Sequence, residues 1–146
     1  MKTHAQPHSS EHLEQSALFD WARFSENTIP ELAMLFAVPN GGMRPMKRAK
    51  NGSYYSPVAV KLKAEGVRRG VPDVFLEVAR GKYHGLRLEM KYGKNKCSPE
   101  QKDWIERLLN QGYLVKVPYS FEEARDIILM YLALAPGDEF EWPFQP

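Results

Sequence analysis

At 146 residues, the chain is sized for one domain with a single hydrophobic core. Its 43% apolar and 26% charged content excludes wholesale disorder and fibrous repeats. The net charge of +2 is a cancellation: residues 44–96 hold 14 of the 20 Lys/Arg and 4 of the 18 Asp/Glu, a local +10 that leaves −8 elsewhere.

Residues 1–10 are polar, contain Pro7, and are expected to be a flexible terminus with no signal-peptide character. From Glu11 to about Ser25, Leu13, Ala17, Leu18, Trp21, Ala22 and Phe24 recur at helical spacing. After Pro30, Leu32–Val38 reads as a buried strand, stopped by the turn Pro39-Asn40-Gly41-Gly42. Residues 43–55 are basic, with Tyr54 and Tyr55, and read as a loop or arm. Ser56-Pro57 supplies an N-cap and first-turn proline for a short helix that Gly66 ends.

Val71–Val78 and Leu86–Lys91 alternate as a hairpin with its turn in 79–85. Ser98 opens a helix to about Asn110, Tyr113–Val117 is a strand, and Ser120 with Glu123 caps a last helix to about Leu134. The segment 136–146 is acidic and aromatic, without regular structure, and suited either to a partner subunit or to disorder. Helices alternating with strands around a central hairpin predict a single α/β domain, spanning 11–135, whose mixed β-sheet is flanked by helices. No apolar run approaches the roughly 20 residues of a membrane span, and the lone Cys97 suits a reducing, intracellular compartment.

The hairpin sorts its side chains by parity. Val74, Leu76, Val78, Leu86, Leu88 and Met90 form an apolar face; Asp73, Phe75, Glu77, Arg87, Glu89 and Lys91 form the other. A turn symmetric about Lys82 places Asp73 opposite Lys91 and Glu77 opposite Arg87, with Glu89 a diagonal neighbour of Asp73. Two readings follow. Either these are ion pairs on a solvated sheet face, the preferred reading for Glu77 and Arg87, or Asp73 and Glu89 share a hard cation such as Mg²⁺ while Lys91 assists a reaction.

The first helix bears on that choice. On a wheel at about 100° per residue, Glu14 lands near the middle of the apolar face, and Glu11 nearer its edge. A carboxylate facing a core is costly unless partnered, so Glu14 suits a third ligand; a frayed first turn is the alternative. His4, His8 and His12 lie four apart, but Pro7 disfavours the helix a zinc face would need. Cys97 has no histidine base near it in sequence.

The run Gly66-Val67-Arg68-Arg69-Gly70-Val71-Pro72-Asp73, followed by Glu89-Met90-Lys91, resembles the VRR-NUC family of the PD-(D/E)XK nuclease superfamily in its stand-alone phage or bacterial form. Glu14-Gln15, Asn40-Gly41-Gly42 and Ser98-x-x-Gln101 with Trp104 support the likeness over residues 11–132. The resemblance implies a restriction-endonuclease-like fold and Mg²⁺- or Mn²⁺-dependent hydrolysis of DNA phosphodiesters, on branched structures such as four-way junctions, by a homodimer. It implies Glu14, Asp73 and Glu89 as metal ligands, Lys91 as the catalytic lysine, and Gln101 as a supporting residue, though Gln101 also fits a capping box with Ser98. Arg68 and Arg69 are motif residues that suit phosphate contact. Arg44, Lys47, Arg48 and Lys50, with Lys94 and Lys96 beyond the hairpin, suit tracking of a DNA backbone. A nucleic-acid-binding module without catalysis is the competing expectation, as is a nuclease acting on flaps or ends.

Overall fold

The computed structural model describes residues 10–39 and 45–143. Its elements are α1 (Ser10–Ser25), a 3₁₀ turn (Pro30–Met34), β1 (Leu35–Ala37), β2 (Lys47–Arg48), β3 (Tyr54–Tyr55), α2 (Pro57–Ala64), β4 (Val74–Leu76), β5 (Leu86–Leu88), α3 (Pro99–Asn110), β6 (Leu114–Lys116) and α4 (Phe121–Leu132). The mixed α/β fold is the class the residue pattern predicts. A four-stranded sheet runs β1-β4-β5-β6, antiparallel except for the parallel β5–β6 pair.

The apolar hairpin face is the core. Val74, Leu76, Val78, Leu86, Leu88 and Met90 are all buried, against Leu18 and Ala22 of α1 and Ala124, Ile127, Ile128 and Tyr131 of α4. The Tyr131 hydroxyl donates 2.6 Å to the Val78 carbonyl, so the one polar atom at the centre of this layer is satisfied. Leu13 and Phe24 leave the expected apolar face of α1, being 57% and 88% exposed. The buried stripe is narrower than the wheel suggests: it runs through Leu18 and Ala22, and Glu14 lies one turn before Leu18 on the same line.

Three local expectations change. Pro30 at the first position favours a helical turn, so the strand expected over Leu32–Val38 shortens to three residues after the 3₁₀ turn. The basic segment contains a small antiparallel ribbon, with Lys47 opposite Tyr55 and Arg48 opposite Tyr54. In the central hairpin Leu76 faces Leu86 and Val74 faces Leu88, and one more step brings Asp73 opposite Glu89, not Lys91. The turn closes at Arg80–Tyr83 with Gly81 at φ 56°, leaving one extra residue on the β4 side. The shift is two residues along β5, so every side chain keeps its face.

Helix starts follow the expected capping. Ser56 Oγ accepts from the Ala59 N–H of α2 at 3.2 Å, and Ser98 with Gln101 forms a complete capping box on α3. On α4, Ser120 Oγ accepts from Glu123 N–H, while the Glu123 carboxylate reaches one residue further back, to the Tyr119 N–H. Phe140 and Trp142 of the acidic-aromatic segment pack on their own chain. Phe140 and Trp142 stack at 6.2 Å, Lys116 lies over Phe140 at 5.0 Å, and the Phe140 N–H donates to the Tyr83 hydroxyl. No helix among the described residues is long and apolar enough to cross a membrane.

Candidate active site

The second hairpin face is no solvated surface. Arg87, Glu89 and Lys91 are 4%, 2% and 6% exposed. Arg87 lies between the rings of Phe75 (4.0 Å) and Tyr113 (4.3 Å) and pairs with Glu77 at 2.6 Å. Phe75, not Glu77, is its cross-strand neighbour. The expected surface ion pair is therefore a diagonal one with a buried guanidinium, and burial lowers the pKa of Arg87.

Further along the same face the strands bring together Asp73, Glu89 and Lys91. Backbone bonds fix them from below: Asp73 C=O accepts from Val38 N–H, Glu89 N–H donates to Lys116 C=O, and Lys91 N–H donates to Pro118 C=O. Asp73 Oδ2 accepts from the Met90 N–H at 2.9 Å. From α3, Gln101 Nε2 donates to Glu89 Oε1 at 2.5 Å, while Gln101 Oε1 accepts from Lys91 Nζ at 3.0 Å and from Ser98 N–H at 2.8 Å. Lys91 Nζ is also 3.3 Å from Glu89 Oε1. Gln101 thus bonds both within the α3 cap and to the Glu89 carboxylate.

Among the described residues no N–H or hydroxyl donor reaches the buried Glu89 Oε2, and the Glu89 and Asp73 carboxyls lie close enough to share a proton. Burial pushes the Glu89 carboxyl up to about 8, and the Asp73 charge adds to the shift. Burial also raises Asp73, against the lowering effects of the Met90 N–H and Lys91; Glu11 raises it further. Two desolvated carboxylates share the single Lys91 cation, which leaves the cluster short of positive charge. Their hard oxygen donors fit Mg²⁺ or Mn²⁺. Among the described residues no group of three or more His, Cys, Asp or Glu side chains stands ready to hold a metal.

The helical carboxylates separate. Glu14 Oε2 accepts from the Phe121 N–H at 2.5 Å, satisfying a first-turn donor of α4. Its core-facing position is thereby explained without a metal. Glu11 accepts from Asn95 Nδ2 at 2.9 Å, and it is Glu11 whose charge reaches Asp73. Asn95 had no signal in sequence, lying unmarked between Lys94 and Lys96. Burial raises the Cys97 thiol pKa, which disfavours a thiolate there.

Arg68 and Arg69 are exposed on a loop bounded by Gly66 (φ 96°) and Gly70 (φ 88°). Gly70 is required twice over: its backbone sits in the left-handed region, and a Cβ there would lie 2.7 Å from the Glu100 carbonyl carbon. Lys47, Arg48 and Lys50 on the ribbon, and Lys94 and Lys96 after β5, are also exposed. Arg44, the Asn40-Gly41-Gly42 turn, His4 and His8 lie outside the described residues.

The mixed sheet brings Asp73, just before β4, beside Glu89 and Lys91, just after β5, with Gln101 of α3 on the Glu89 carboxylate, and the comparisons place this domain in a family of nuclease type. The VRR-NUC domain model matches residues 43–122, and the chain belongs to that family. A solved structure named "VRR_NUC domain protein" is 27% identical, with a TM-score of 0.62, covering 85% of this chain and 93% of that chain. No curated protein matches the chain. The matched stretch begins after α1, so the roles of Glu11 and Glu14 rest on their contacts.

Proposed function

We propose that this protein is an Mg²⁺- or Mn²⁺-dependent DNA endonuclease that hydrolyses phosphodiester bonds in branched DNA, four-way junctions included, as a homodimer. The observation that carries this reading is the buried Glu89 carboxyl set against Asp73, with no N–H or hydroxyl donor on its Oε2 among the described residues. Binding DNA gains nothing from a pair of desolvated carboxylates, whereas holding a cation against a phosphate needs them. Asp73 and Glu89 would hold the metal, with Glu11, whose charge acts on Asp73, as the helical carboxylate in place of Glu14. A bound divalent ion there would polarise a phosphoryl oxygen and lower the pKa of a water.

The protein's own groups do the rest. Lys91, held by Gln101 and Glu89, is a fixed cation for the charge that develops at the phosphorus. Gln101 keeps one Glu89 oxygen engaged and leaves the other on the Asp73 side of the site. Lys47, Arg48, Lys50, Arg68, Arg69, Lys94 and Lys96 suit DNA phosphates because they are exposed on the loops and ribbon around the hairpin. Contacts of this kind report backbone shape rather than base sequence, which suits selection of a branched structure.

The test is incubation with four-way, flap and splayed-arm DNAs in Mg²⁺, Mn²⁺ or EDTA, beside Lys91→Ala. Cleavage should require the metal and Lys91; cutting in EDTA refutes the metal reading, and binding without cutting on every substrate identifies a binding module instead. Light scattering should give twice 16.8 kDa; a monomer that cuts junctions fully defeats the dimer.

A further inference from the structure

A cleft of about 950 Å³ opens between α2, the Arg68–Arg69 loop and α3, with Met46 of the arm at its edge. Four cations line it: Lys63, Arg68, Arg69 and Arg107. Its apolar lining includes the half-buried Trp104, which also borders a smaller cavity of about 360 Å³ reaching Phe75. Two carboxylates share the rim. Asp103 is paired with Arg107 at 2.9 Å, and Glu100 lies in the field of Arg69, so the cations retain the majority.

We propose that this cleft binds unpaired nucleotides of a branched DNA, with phosphates on the cationic rim and a base on Trp104. The inference rests on the nuclease reading and adds to it a preference, among branched DNAs, for those that carry an unpaired arm beside the branch. A nucleotide is itself divided into an anionic phosphate and a flat apolar base, the two chemistries this cleft pairs. A duplex offers its phosphates but keeps its base faces stacked, so only an unpaired strand uses Trp104. The volume lies at the upper end of small-ligand sites and suits more than one nucleotide. The location serves the chemistry: α3 carries Trp104 and Arg107 to the cleft and Gln101 to Glu89, and Arg69 precedes Asp73 by four residues.

Fluorescence anisotropy in EDTA separates binding from cleavage. A labelled splayed-arm duplex and a blunt duplex of equal length are titrated with wild type, Trp104→Ala, Trp104→Phe and Arg107→Ala. Trp104→Ala should weaken splayed-arm binding about tenfold and blunt-duplex binding little, while Trp104→Phe retains most of the preference. Arg107 is exposed and pairs with exposed Asp103, so its removal should keep the fold; it should lower the salt dependence of splayed-arm binding by about one ion. If Trp104→Ala fails to fold by circular dichroism, the Trp104→Phe and Arg107→Ala comparison decides. Equal losses on both duplexes, or none on either, overturn the cleft and leave the nuclease reading intact. No binding to any DNA overturns both.

Discussion

Asp73 stands across the hairpin from Glu89, and its negative charge adds to burial in holding the Glu89 proton up to about pH 8. An unfolded glutamate releases its proton near 4.5. The stability this group contributes is therefore full below about 4.5 and is lost as pH rises through about 8. Thermal melts of the metal-free protein should show this decline, and Glu89→Gln should flatten it. A variant that titrates as steeply as wild type would remove Glu89 as its source. Mn²⁺ should raise the melting temperature more at pH 8.5 than at 5.5, because at the lower pH it competes with the proton.

Lys91 and Gln101 meet at one hydrogen bond of 3.0 Å but should fail differently. Lys91→Ala removes the cation nearest Glu89 and should lower cleavage by about a hundredfold or more, with DNA affinity retained. Gln101→Ala should lower both cleavage and melting temperature, since Gln101 serves the site and the α3 cap. Ser98→Ala should cost only the cap, about 1 kcal/mol. Gel cleavage assays beside thermal melts separate these outcomes; equal cleavage losses in Ser98→Ala and Gln101→Ala would reduce Gln101 to a helix cap.

Glu11 and Glu14 are three residues apart with separate partners. Glu14→Gln keeps an oxygen for the Phe121 N–H and should retain cleavage, whereas Glu14→Ala orphans that donor and should cost about 1–3 kcal/mol. Glu11→Gln removes charge felt by Asp73 and should weaken Mn²⁺ binding and cleavage with little change in stability. Calorimetric titration of Mn²⁺ into both glutamine variants gives the answer; the reverse ranking would restore Glu14 as the helical ligand.

The two glycines around Arg68 and Arg69 should not respond alike. Gly66 has nothing within 4 Å of a built Cβ, so Gly66→Ala should cost only its backbone strain, on the order of 1 kcal/mol. Gly70→Ala adds a collision with the Glu100 backbone and should cost distinctly more, measured by urea denaturation. Equal losses would mean that α3 yields to the loop.

What local pattern encodes, this sequence determined alone. Parity along Val71–Val78 and Leu86–Lys91 separated the apolar face from the Asp73–Glu89–Lys91 face, because side chains alternate whatever the strand pairs with. The Ser56, Ser98 and Ser120 caps were legible for a similar reason, since a cap bonds within one turn. Contacts between distant segments were decided only by the tertiary structure. The wheel puts Glu14 on the apolar face of α1, but its partner depends on where α4 begins, 107 positions away in sequence. The cross-strand partner of Asp73 depended on one extra residue beside the Arg80–Tyr83 turn, which parity does not register. Burial of Arg87, and with it the loss of the expected surface pair, required Phe75 and Tyr113 to close from two neighbouring strands. Glu89 is likewise buried by the assembled fold, a desolvation that the Glu-x-Lys spacing by itself does not register.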